Sequence, residues 1–403
     1  MIKMKEGLSM ENITLQLDGQ TLKAALHGNI DTTNAPMVEK TLFDFLAGNP
    51  AQNAEVDCED LKYISSAGLR VILRLKKAIK DTRIFNVSSE VYEIFDVTGF
   101  TEMMDVQKAY RVVSVDGCEV IGQGANGKVY RIDPETIVKV YLNPDALPEI
   151  HRERELARTA FVLGIPTAIP YDVVRIADGG YGSVFELLNA TSFAKLLARG
   201  EMDTAEIARR SIDLLKLIHG TVVKPDAVPD MKQVAIGWAD DLNGFLEPEL
   251  EEKLRALIHA VPDDNHMLHG DYHVKNVMFQ NGESLLIDMD TICHGHPIFE
   301  LGSMFNAYYG FLETDHDVAM RFLGIPYETA VDLWNKELRL YLDGADEETV
   351  RAVEAKAMLI GHTRILRRQL RRGGTSTEAG RLVVENSHRH LQELLPVIDS
   401  LVF

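Results

Sequence analysis

The stretch from His269 to Asp290 contains polar residues whose types and spacing could carry out chemistry on phosphate. Asp271 and Asn276 are separated by four residues, and Asp288 follows at the end of an apolar run. Phosphoryl transfer from ATP needs one carboxylate to orient or deprotonate the attacking hydroxyl, and an Asn and a second carboxylate to hold Mg²⁺ against the phosphates. Asn276 and Asp288 supply the hard oxygen ligands that Mg²⁺ prefers. A turn followed by a buried strand would show the same pattern, but a glycine-rich loop upstream favours phosphate chemistry.

The upstream loop is a complete G-x-G-x-x-G-x-V motif, formed by Gly122, Gly124, Gly127 and Val129. The glycines alone are weak evidence, because Rossmann folds use the same spacing at their pyrophosphate site. The next two segments are patterned as strands rather than as a long helix, which favours a hairpin that covers phosphates: Val129–Ile132 and Ile137–Tyr141. Lys139 lies among apolar residues of the second strand, where its ammonium group would reach the α- and β-phosphates of ATP.

Two further features would complete an ATP site. The lysine requires an acidic partner from the next helix, Pro148–Leu163, and three glutamates are available: Glu149, Glu153 and Glu155. We favour Glu155 because of its distance from the Gly-Ile-Pro segment that ends the helix. The segment Phe185–Asn189 is patterned as a hinge after the last strand of a small sheet. Backbone groups there, at Glu186 and Leu188, would meet adenine.

Composition and charge limit the class of protein. The length of 403 residues suggests two or three domains, and the apolar fraction of 46% is that of a globular protein. The net charge is −19. So acidic a chain is not expected to bind nucleic acid or anionic membranes non-specifically. Its three widely spaced cysteines give no disulfide or zinc pattern. No stretch resembles a signal peptide or a membrane span, so we expect a cytoplasmic protein.

Short strands and helices alternate from residue 11 to about residue 108, after an N-terminal tail of residues 1–10, and this alternation predicts a small α/β sandwich. The segment resembles the STAS domain of bacterial anti-sigma-factor antagonists, and three stretches carry the resemblance: His27–Pro36, Leu61–Leu73 and Val91–Phe100. In that family a partner kinase phosphorylates the serine that opens the helix after a short strand. The corresponding position here is Ser66. Ser65 or Ser66 could also serve simply as the helix N-cap.

The rest of the chain divides into a joint (109–117), a small lobe (118–189) and a mainly helical large lobe (190–403). Residues 118–310 resemble the aminoglycoside phosphotransferase and choline kinase-like superfamily. The resemblance rests on three motifs in order: His-Gly-Asp-x-x-x-x-Asn from His269, Ile-Asp from Ile287, and Gly-x-Pro-x-x-Glu-Leu from Gly295. It implies an α+β bilobal fold like that of the protein kinases.

The resemblance also implies a role for each motif residue. It makes Asp271 the catalytic base, and it assigns ATP phosphates to Lys139 and Mg²⁺ to Asn276 and Asp288. The residue two positions further on, Asp290, would touch a second metal or orient the loop, and we favour the second role. Glu300 would anchor the loop structurally.

Two functions are compatible with this combination of domains. The first is ATP- and Mg²⁺-dependent transfer of phosphate to a hydroxyl group of a small molecule, with the STAS domain regulating the enzyme or binding a protein partner. The second is a regulatory protein kinase that phosphorylates a STAS serine, either Ser66 of its own chain or that of a partner. No Arg precedes Asp271, and the segment between Asp290 and Glu300 is too short for an activation loop. Both observations favour the small molecule.

The sequence does not identify the acceptor. Acidic residues between Asp240 and Glu252 would suit a cationic acceptor, as acceptor loops near this position do in the aminoglycoside enzymes, or would form a solvated loop. The basic run Arg364–Arg372 could bind anions or could be the solvated face of an amphipathic helix, and we favour the solvated face. The histidines around His269 lack the spacing of structural zinc ligands, so no zinc site is expected.

Overall fold

The computed structural model describes residues 8–124, 127–143 and 145–403, which form two compact units divided between Val112 and Val113. This boundary falls inside the segment 109–117 that was expected to be the joint. None of the helices in the described residues is long and apolar enough to cross a bilayer.

The first unit contains one six-stranded sheet in which spatial order follows chain order. Its strands are β1 (Leu8–Met10), β2 (Ile13–Asp18), β3 (Thr21–Ile30), β4 (Asn53–Ile64), β5 (Asp81–Val87) and β6 (Asp105–Lys108). Pairing is antiparallel from β1 to β3 and parallel from β3 to β6. Parallel neighbours need crossover connections, and these contain the helices α1 (Ala35–Gly48), α2 (Ser66–Ala78), α3 (Ser89–Val97) and α4 (Phe100–Met103).

The structure confirms the α/β prediction for this unit and corrects its N-terminal end. Residues 8–10 are not a tail, because they pair antiparallel with β2, for example Leu8 with Leu15. The N-cap of α2 is Ser65, whose hydroxyl accepts the N–H of Gly68 at 3.4 Å. Ser66 is the first residue of the helix and is exposed. The position predicted to accept phosphate is therefore accessible and is not the capping residue.

The second unit begins with a six-stranded sheet in the order β7-β11-β12-β10-β9-β8. These strands are β7 (Val112–Val113), β8 (Glu119–Gln123), β9 (Gly127–Arg131), β10 (Thr136–Tyr141), β11 (Pro170–Ile176) and β12 (Tyr181–Glu186). The helix α5 (Leu147–Val162) connects β10 to β11 and packs against β11 and β12. Buried valines at positions 138, 174 and 184 form the small core of this lobe.

The rest of the second unit is mainly helical, and the predicted α+β bilobal fold is confirmed. Its helices are α6 (Phe193–Ala198), α7 (Thr204–His219), α8 (Met231–Asp240), α9 (Pro248–His259), α10 (Ile298–Tyr308), α11 (Tyr327–Tyr341), α12 (Glu347–Arg371) and α13 (Glu378–Leu394). Five short strands hold its loops: β13 (Thr191–Ser192), β14 (Met267–Leu268), β15 (Val277–Gln280), β16 (Glu283–Leu286) and β17 (Cys293–His294). They form the sheets β13-β15-β16 and β14-β17.

Helix α10 lies at the centre of the large lobe, and all eleven of its residues are buried. It packs closely on α12 because residue 302 is a glycine. A Cβ at Gly302 would lie 2.6 Å from Cγ2 of Ile360, closer than van der Waals contact permits. This close packing positions α12 beside the loop that follows β14, where Arg364 donates to the carbonyl of Gly270.

Candidate active site

The glycine motif forms the connection between β8 and β9, and the two residues between Gly124 and Gly127 lie outside the described residues. Gly124 donates its N–H to the carbonyl of Gly127 at 3.0 Å, and Gly122 pairs with Val129 across the hairpin. A side chain at Gly127 would collide with the carbonyl of Val140 in β10. Only glycine therefore allows β9 to lie so close to β10.

Lys139 projects from β10, and its ammonium group contacts two carboxylates. Nζ donates to Oε1 of Glu153 at 2.7 Å and lies 3.6 Å from Oδ1 of Asp288. Burial lowers the pKa of Lys139, but the charges of these two acids outweigh burial and raise that pKa above its ordinary value. The prediction of Glu155 as the partner is wrong, because its exposed carboxylate pairs with Arg154 instead. Two residues along a helix correspond to about 200° of rotation, so positions 153 and 155 face opposite sides of α5.

The sequence pattern of α5 contains the information needed to identify Glu153. The buried residues of this helix include Ile150, Ala157 and Ala160, which share one face at helical spacing. Glu153 falls on that apolar face and is itself buried, whereas Glu155 does not. An acid on the apolar face of an otherwise amphipathic helix requires a buried partner, and Lys139 is that partner.

We expect Glu153→Gln to lower kcat/KM for ATP by about 10- to 100-fold, because a charge-assisted hydrogen bond to Lys139 is lost. The matched control is Glu155→Gln, which removes an exposed ion pair worth at most about 1 kcal/mol and should leave kcat/KM unchanged. Steady-state kinetics at varied ATP would measure both. Equal effects of the two substitutions would contradict the assignment of Glu153.

The backbone N–H groups at the end of β12 and just after it differ in whether an acceptor is already present. The N–H of Glu186 donates to the carbonyl of Ile169 at 3.0 Å, and that of Leu187 to Glu135 at 2.7 Å. Among the described residues, no acceptor pairs with the N–H of Leu188. Of the two predicted hinge positions, Leu188 can therefore donate to adenine, while the N–H of Glu186 is already engaged.

Asp271 lies in the loop between β14 and β15, and hydrogen bonds to distant helices fix the start of this loop. The N–H of Gly270 donates to Glu300 at 3.0 Å, and the preceding N–H donates to the same carboxylate. Ser303 Oγ and Arg364 Nη1 both donate to the carbonyl of Gly270 at 2.9 Å. The anchoring role predicted for Glu300 is confirmed. The contact between Arg364 and Gly270 was not predicted. The two residues are 94 positions apart, and no sequence pattern links them.

The carboxylate of Asp271 is surrounded by groups that favour its charged form. Burial alone would raise the pKa of Asp271, but a hydrogen bond and charge from His273, together with the charges of Arg364 and His269, hold this pKa well below its usual range. His273 Nε2 lies 3.6 Å from Asp271 Oδ2. Asp271 is therefore ionised at neutral pH. It can accept a hydrogen bond from a hydroxyl group and orient it, although so acidic a group is a weak Brønsted base.

Asn276 and Asp288 come from adjacent strand ends, and both present oxygen atoms. Asn276 donates its Nδ2 hydrogen to the carbonyl of Asp271 at 3.0 Å, and no described residue donates to its Oδ1. The N–H of Ile287 donates to the carbonyl of Asn276 at 2.9 Å, which holds Asp288 close by. Asp288 has a left-handed backbone (φ 64°), a conformation that aspartate tolerates better than most residues.

Asp290 adds a third carboxylate beside Lys139 and Asp288. Burial and, after it, the charges of Asp288 and Glu153 together raise the pKa of Asp290 to about 7. No hydrogen bond among the described residues joins the Asp290 side chain to the loop. The structure therefore gives no contact through which Asp290 would orient the loop, the role that we favoured from the sequence. Crowded carboxylates with one free amide oxygen are a donor set that fits Mg²⁺, whose charge would relieve their mutual repulsion.

Two charged segments bear on the acceptor. Asp240 pairs with Arg255 at 2.9 Å, and Asp241 pairs with Arg367 at 2.7 Å, so these acids are occupied by arginines. The favoured interpretation of Arg364–Arg372 as a solvated helix face is incomplete, although Arg368, Arg371 and Arg372 are exposed. Five arginines of this run line a cavity that also contains Asp271.

Two family models match the chain. Residues 117–334 match the phosphotransferase enzyme family (APH), and residues 12–113 match the STAS domain. A protein of Bordetella bronchiseptica named as an anti-sigma factor antagonist, BtrV, is 30% identical over 95 residues, which cover 23% of this chain and 80% of that protein. The STAS domain and the phosphotransferase domain that the sequence resembles are therefore both present.

Several solved structures are similar to this chain at low sequence identity. A thermostable mutant of aminoglycoside phosphotransferase APH(4)-Ia has a TM-score of 0.47 and 12% identity, covering 69% of this chain and 94% of that chain. ADP-bound aminoglycoside phosphotransferase APH(2'')-Ib has a TM-score of 0.47 and 15% identity, with 77% and 99% covered. A choline/ethanolamine kinase family protein from Mesorhizobium loti has a TM-score of 0.43 and 14% identity, with 69% and 87% covered. The fold assignment rests on the family matches.

Proposed function

Because the chain belongs to the phosphotransferase enzyme family through residues 117–334 and carries a STAS domain at residues 12–113, we propose that it transfers the γ-phosphoryl group of ATP to a hydroxyl group of a small molecule. Mg²⁺ is the metal cofactor in this proposal. The STAS domain binds a protein partner or regulates the enzyme. The three cysteines are unpaired, which suits a reducing cytoplasm.

The observation that carries the proposal is the convergence of charged groups from both lobes at one point. Lys139 of the small lobe lies 3.6 Å from Asp288 of the large lobe. Asp288 is held next to Asn276, which in turn is hydrogen-bonded to the carbonyl of Asp271 at 3.0 Å. A cation, metal ligands and an ionised carboxylate are the groups that phosphoryl transfer requires, because catalysis of this reaction is mainly positioning and charge stabilisation.

Each residue has a distinct task in the proposed reaction. Lys139, held by Glu153, binds the phosphates of ATP, and the N–H of Leu188 binds adenine. Asn276 and Asp288 hold Mg²⁺, which neutralises phosphate charge when bound. Asp271 accepts a hydrogen bond from the acceptor hydroxyl and aligns its oxygen with the γ-phosphorus. As the new P–O bond forms and the bond to ADP breaks, the hydroxyl proton passes to Asp271.

An ATP-consumption assay with a panel of hydroxyl compounds would test this function. The panel should contain amino sugars, amino alcohols, neutral polyols and polyol phosphates, each assayed with and without Mg²⁺. We expect at least one compound to stimulate ADP formation in a Mg²⁺-dependent manner and to gain a phosphate that mass spectrometry detects. Nucleotide binding without acceptor-dependent turnover for any class would count against an enzyme.

A second function, phosphorylation of a STAS serine, is favoured by one observation. Ser66 is exposed at the first residue of α2, where backbone N–H groups and the helix dipole would stabilise a phosphate. Incubation of the full chain with Mg²⁺ and ATP, followed by phosphosite mapping, would test it. The variant Ser66→Ala and the capping-residue variant Ser65→Ala provide matched controls. We expect small-molecule transfer to dominate, and rapid labelling of Ser66 with no acceptor consumed would reverse this order.

A further inference from the structure

A cavity of about 590 Å³ lies beside Asp271 in the large lobe, and its most unusual feature is its charge. Five arginines line it, four from the C-terminal part of α12 and one from its C-cap: Arg364, Arg367, Arg368, Arg371 and Arg372. Asp271 is the one carboxylate among its described lining residues. The volume is in the range of small-molecule sites, roughly 300–1,000 Å³. The cavity is therefore large enough for an acceptor of monosaccharide size next to the group that would orient its hydroxyl.

We propose that the acceptor is a small hydroxyl compound carrying an anionic group, a phosphate or a carboxylate, which Arg368 and Arg372 bind in this cavity. This inference rests on the proposed phosphotransferase function and specifies the substrate class for it. The hydroxyl end of the acceptor would face Asp271, and the anionic end would face the arginines.

The arginines of this cavity are unequal in their partners. Arg367 and Arg371 share one carboxylate, Asp241, at 2.7 and 3.8 Å. Arg364 donates to two neutral oxygens, those of Gly270 and Ser303, and so keeps its net positive charge. Among the described residues, no carboxylate lies within ion-pair distance of Arg364, Arg368 or Arg372. Two of these three guanidinium groups have no role in holding the loop and remain available to a ligand.

The helix places these unpaired arginines on one side. Residues 364, 368 and 372 follow each other at intervals of four, so their side chains project along the same face of the helix and its end. Like charges at this spacing repel each other, and the pKa of Arg368 is lowered first by burial and then by the charges of Arg372 and Arg364. The negative charge of a bound anion would offset this repulsion. The planar guanidinium group of arginine suits phosphate and carboxylate because it donates two parallel hydrogen bonds to their oxygen atoms.

The other walls of the cavity suit the uncharged part of such an acceptor. Trp238, Phe311 and Phe322 contribute aromatic surface, and the guanidinium groups of Arg364 and Arg368 lie 5.5 and 5.1 Å from the ring centres of Trp238 and Phe311. These contacts hold both arginines against the wall. Arg368 is therefore oriented before a ligand binds, which reduces the entropy cost of binding.

The same charges disfavour the other acceptors considered. A cationic acceptor would have to approach five arginines, while the nearby acids Asp240 and Asp241 already have arginine partners. The segment around Ser66 is also unsuitable, because exposed Lys62 and Arg70 flank the serine by four residues on each side. Repulsion between like charges therefore disfavours binding of either acceptor to the arginine-lined cavity.

Binding can be tested separately from catalysis with the intrinsic fluorescence of Trp238, because the chain has two tryptophans and Trp334 is buried elsewhere in the core. The full chain would be titrated with glucose, glucosamine, glucose 6-phosphate and gluconate, and with inorganic phosphate as a minimal anion. We expect glucose 6-phosphate or gluconate to bind at least about 10-fold more tightly than glucose, and glucosamine to bind most weakly. The two anions distinguish a phosphate site from a carboxylate site. Anions, inorganic phosphate included, that bind no more tightly than glucose would overturn the proposal.

Substitutions locate the site and separate charge from folding. The double variant Arg368→Gln, Arg372→Gln should reduce the affinity ratio of anion to glucose by about 10- to 100-fold. Arg389→Gln is the control, because Arg389 is an exposed arginine on α13 that pairs with Glu393 outside the cavity. Charge reversal, Arg368→Glu, should shift preference towards glucosamine, a change that misfolding cannot produce. An unchanged ratio in the double variant would overturn the proposal.

The same compounds in the ATP assay distinguish the two possible failures. Anion binding that depends on Arg368, without phosphate transfer to any compound, would refute the proposed function and leave the anion site intact. Transfer to glucose or glucosamine at least as fast as to the anions would refute the anion site and leave the function intact. Preferential transfer to an anion would support both.

Discussion

Asp271→Asn should reduce the rate of phosphate transfer by about 100- to 10,000-fold, a loss of about 3–5 kcal/mol in transition-state stabilisation. The amide keeps the shape of the side chain but cannot take the proton of the attacking hydroxyl. Nucleotide affinity should be nearly unchanged, because the groups proposed to bind ATP are Lys139, Leu188 and the glycine hairpin. Single-turnover kinetics with calorimetric ADP binding would measure both quantities.

A matched control for this substitution is Asp213→Asn, which changes an exposed aspartate on α7 that pairs with Arg209. It should leave both transfer rate and ADP affinity unaltered. Normal transfer by Asp271→Asn would remove Asp271 from the mechanism. A parallel loss of ADP affinity would mean that the substitution disturbs the whole cleft.

Asp288→Asn should lower kcat/KM for ATP by at least about 100-fold and raise the Mg²⁺ concentration needed for half-maximal rate. The substitution removes one negative charge from the proposed metal ligands. It should not disturb folding, because Asn tolerates the left-handed backbone that Asp288 adopts (φ 64°). Initial rates at varied Mg²⁺, together with the thermal midpoint, would separate a metal effect from a loss of stability.

The chain offers a close control for the Asp288 substitution. Asp343 is another aspartate with a left-handed backbone (φ 44°), and it is exposed in the loop between α11 and α12. Asp343→Asn should change neither the Mg²⁺ requirement nor the rate. An Asp288→Asn enzyme with the wild-type Mg²⁺ requirement would contradict the assignment of Asp288 as a ligand.

Residues that act together and lie close in sequence could be found without a structure. Asp271, Asn276 and Asp288 fall within one short stretch, since a turn and a hairpin bring them together, and their spacing is a direct consequence of that local geometry. The glycine hairpin and Lys139 could also be predicted from local sequence, because they lie on adjacent antiparallel strands whose pairing fixes their relative positions. In these places local patterns and tertiary structure agree.

Residues that depend on packing between distant elements could not be found in this way. Arg364 reaches the carbonyl of Gly270 only because α12 packs on α10, and nothing near either residue indicates this contact. Helix α10 itself was not predicted, because it is buried on all sides and has no polar face to produce a helical period. The position of the arginine run beside Asp271 could not be predicted for the same reason, since sequence periodicity does not show what a basic face is packed against.

The final helix shows a related error. The apolar spacing over Ser387–Leu401 predicts a helix there, whereas α13 extends from Glu378 to Leu394. Thr377 caps its start by accepting the N–H of Gly380 at 3.1 Å. Two glycines before this cap made the segment resemble a loop, although the N-cap residue itself was visible in the sequence.

Phosphorus NMR of the γ-phosphate during one turnover tests the central claim most directly. The full chain would be incubated with ATP, Mg²⁺ and the compound that most stimulates ADP formation, with Asp271→Asn as the parallel sample. We predict a new phosphate monoester signal on the acceptor, formed at the rate of ADP release and strongly reduced in Asp271→Asn. Appearance of the γ-phosphate only as inorganic phosphate, or only on the protein, would contradict transfer to a small-molecule hydroxyl.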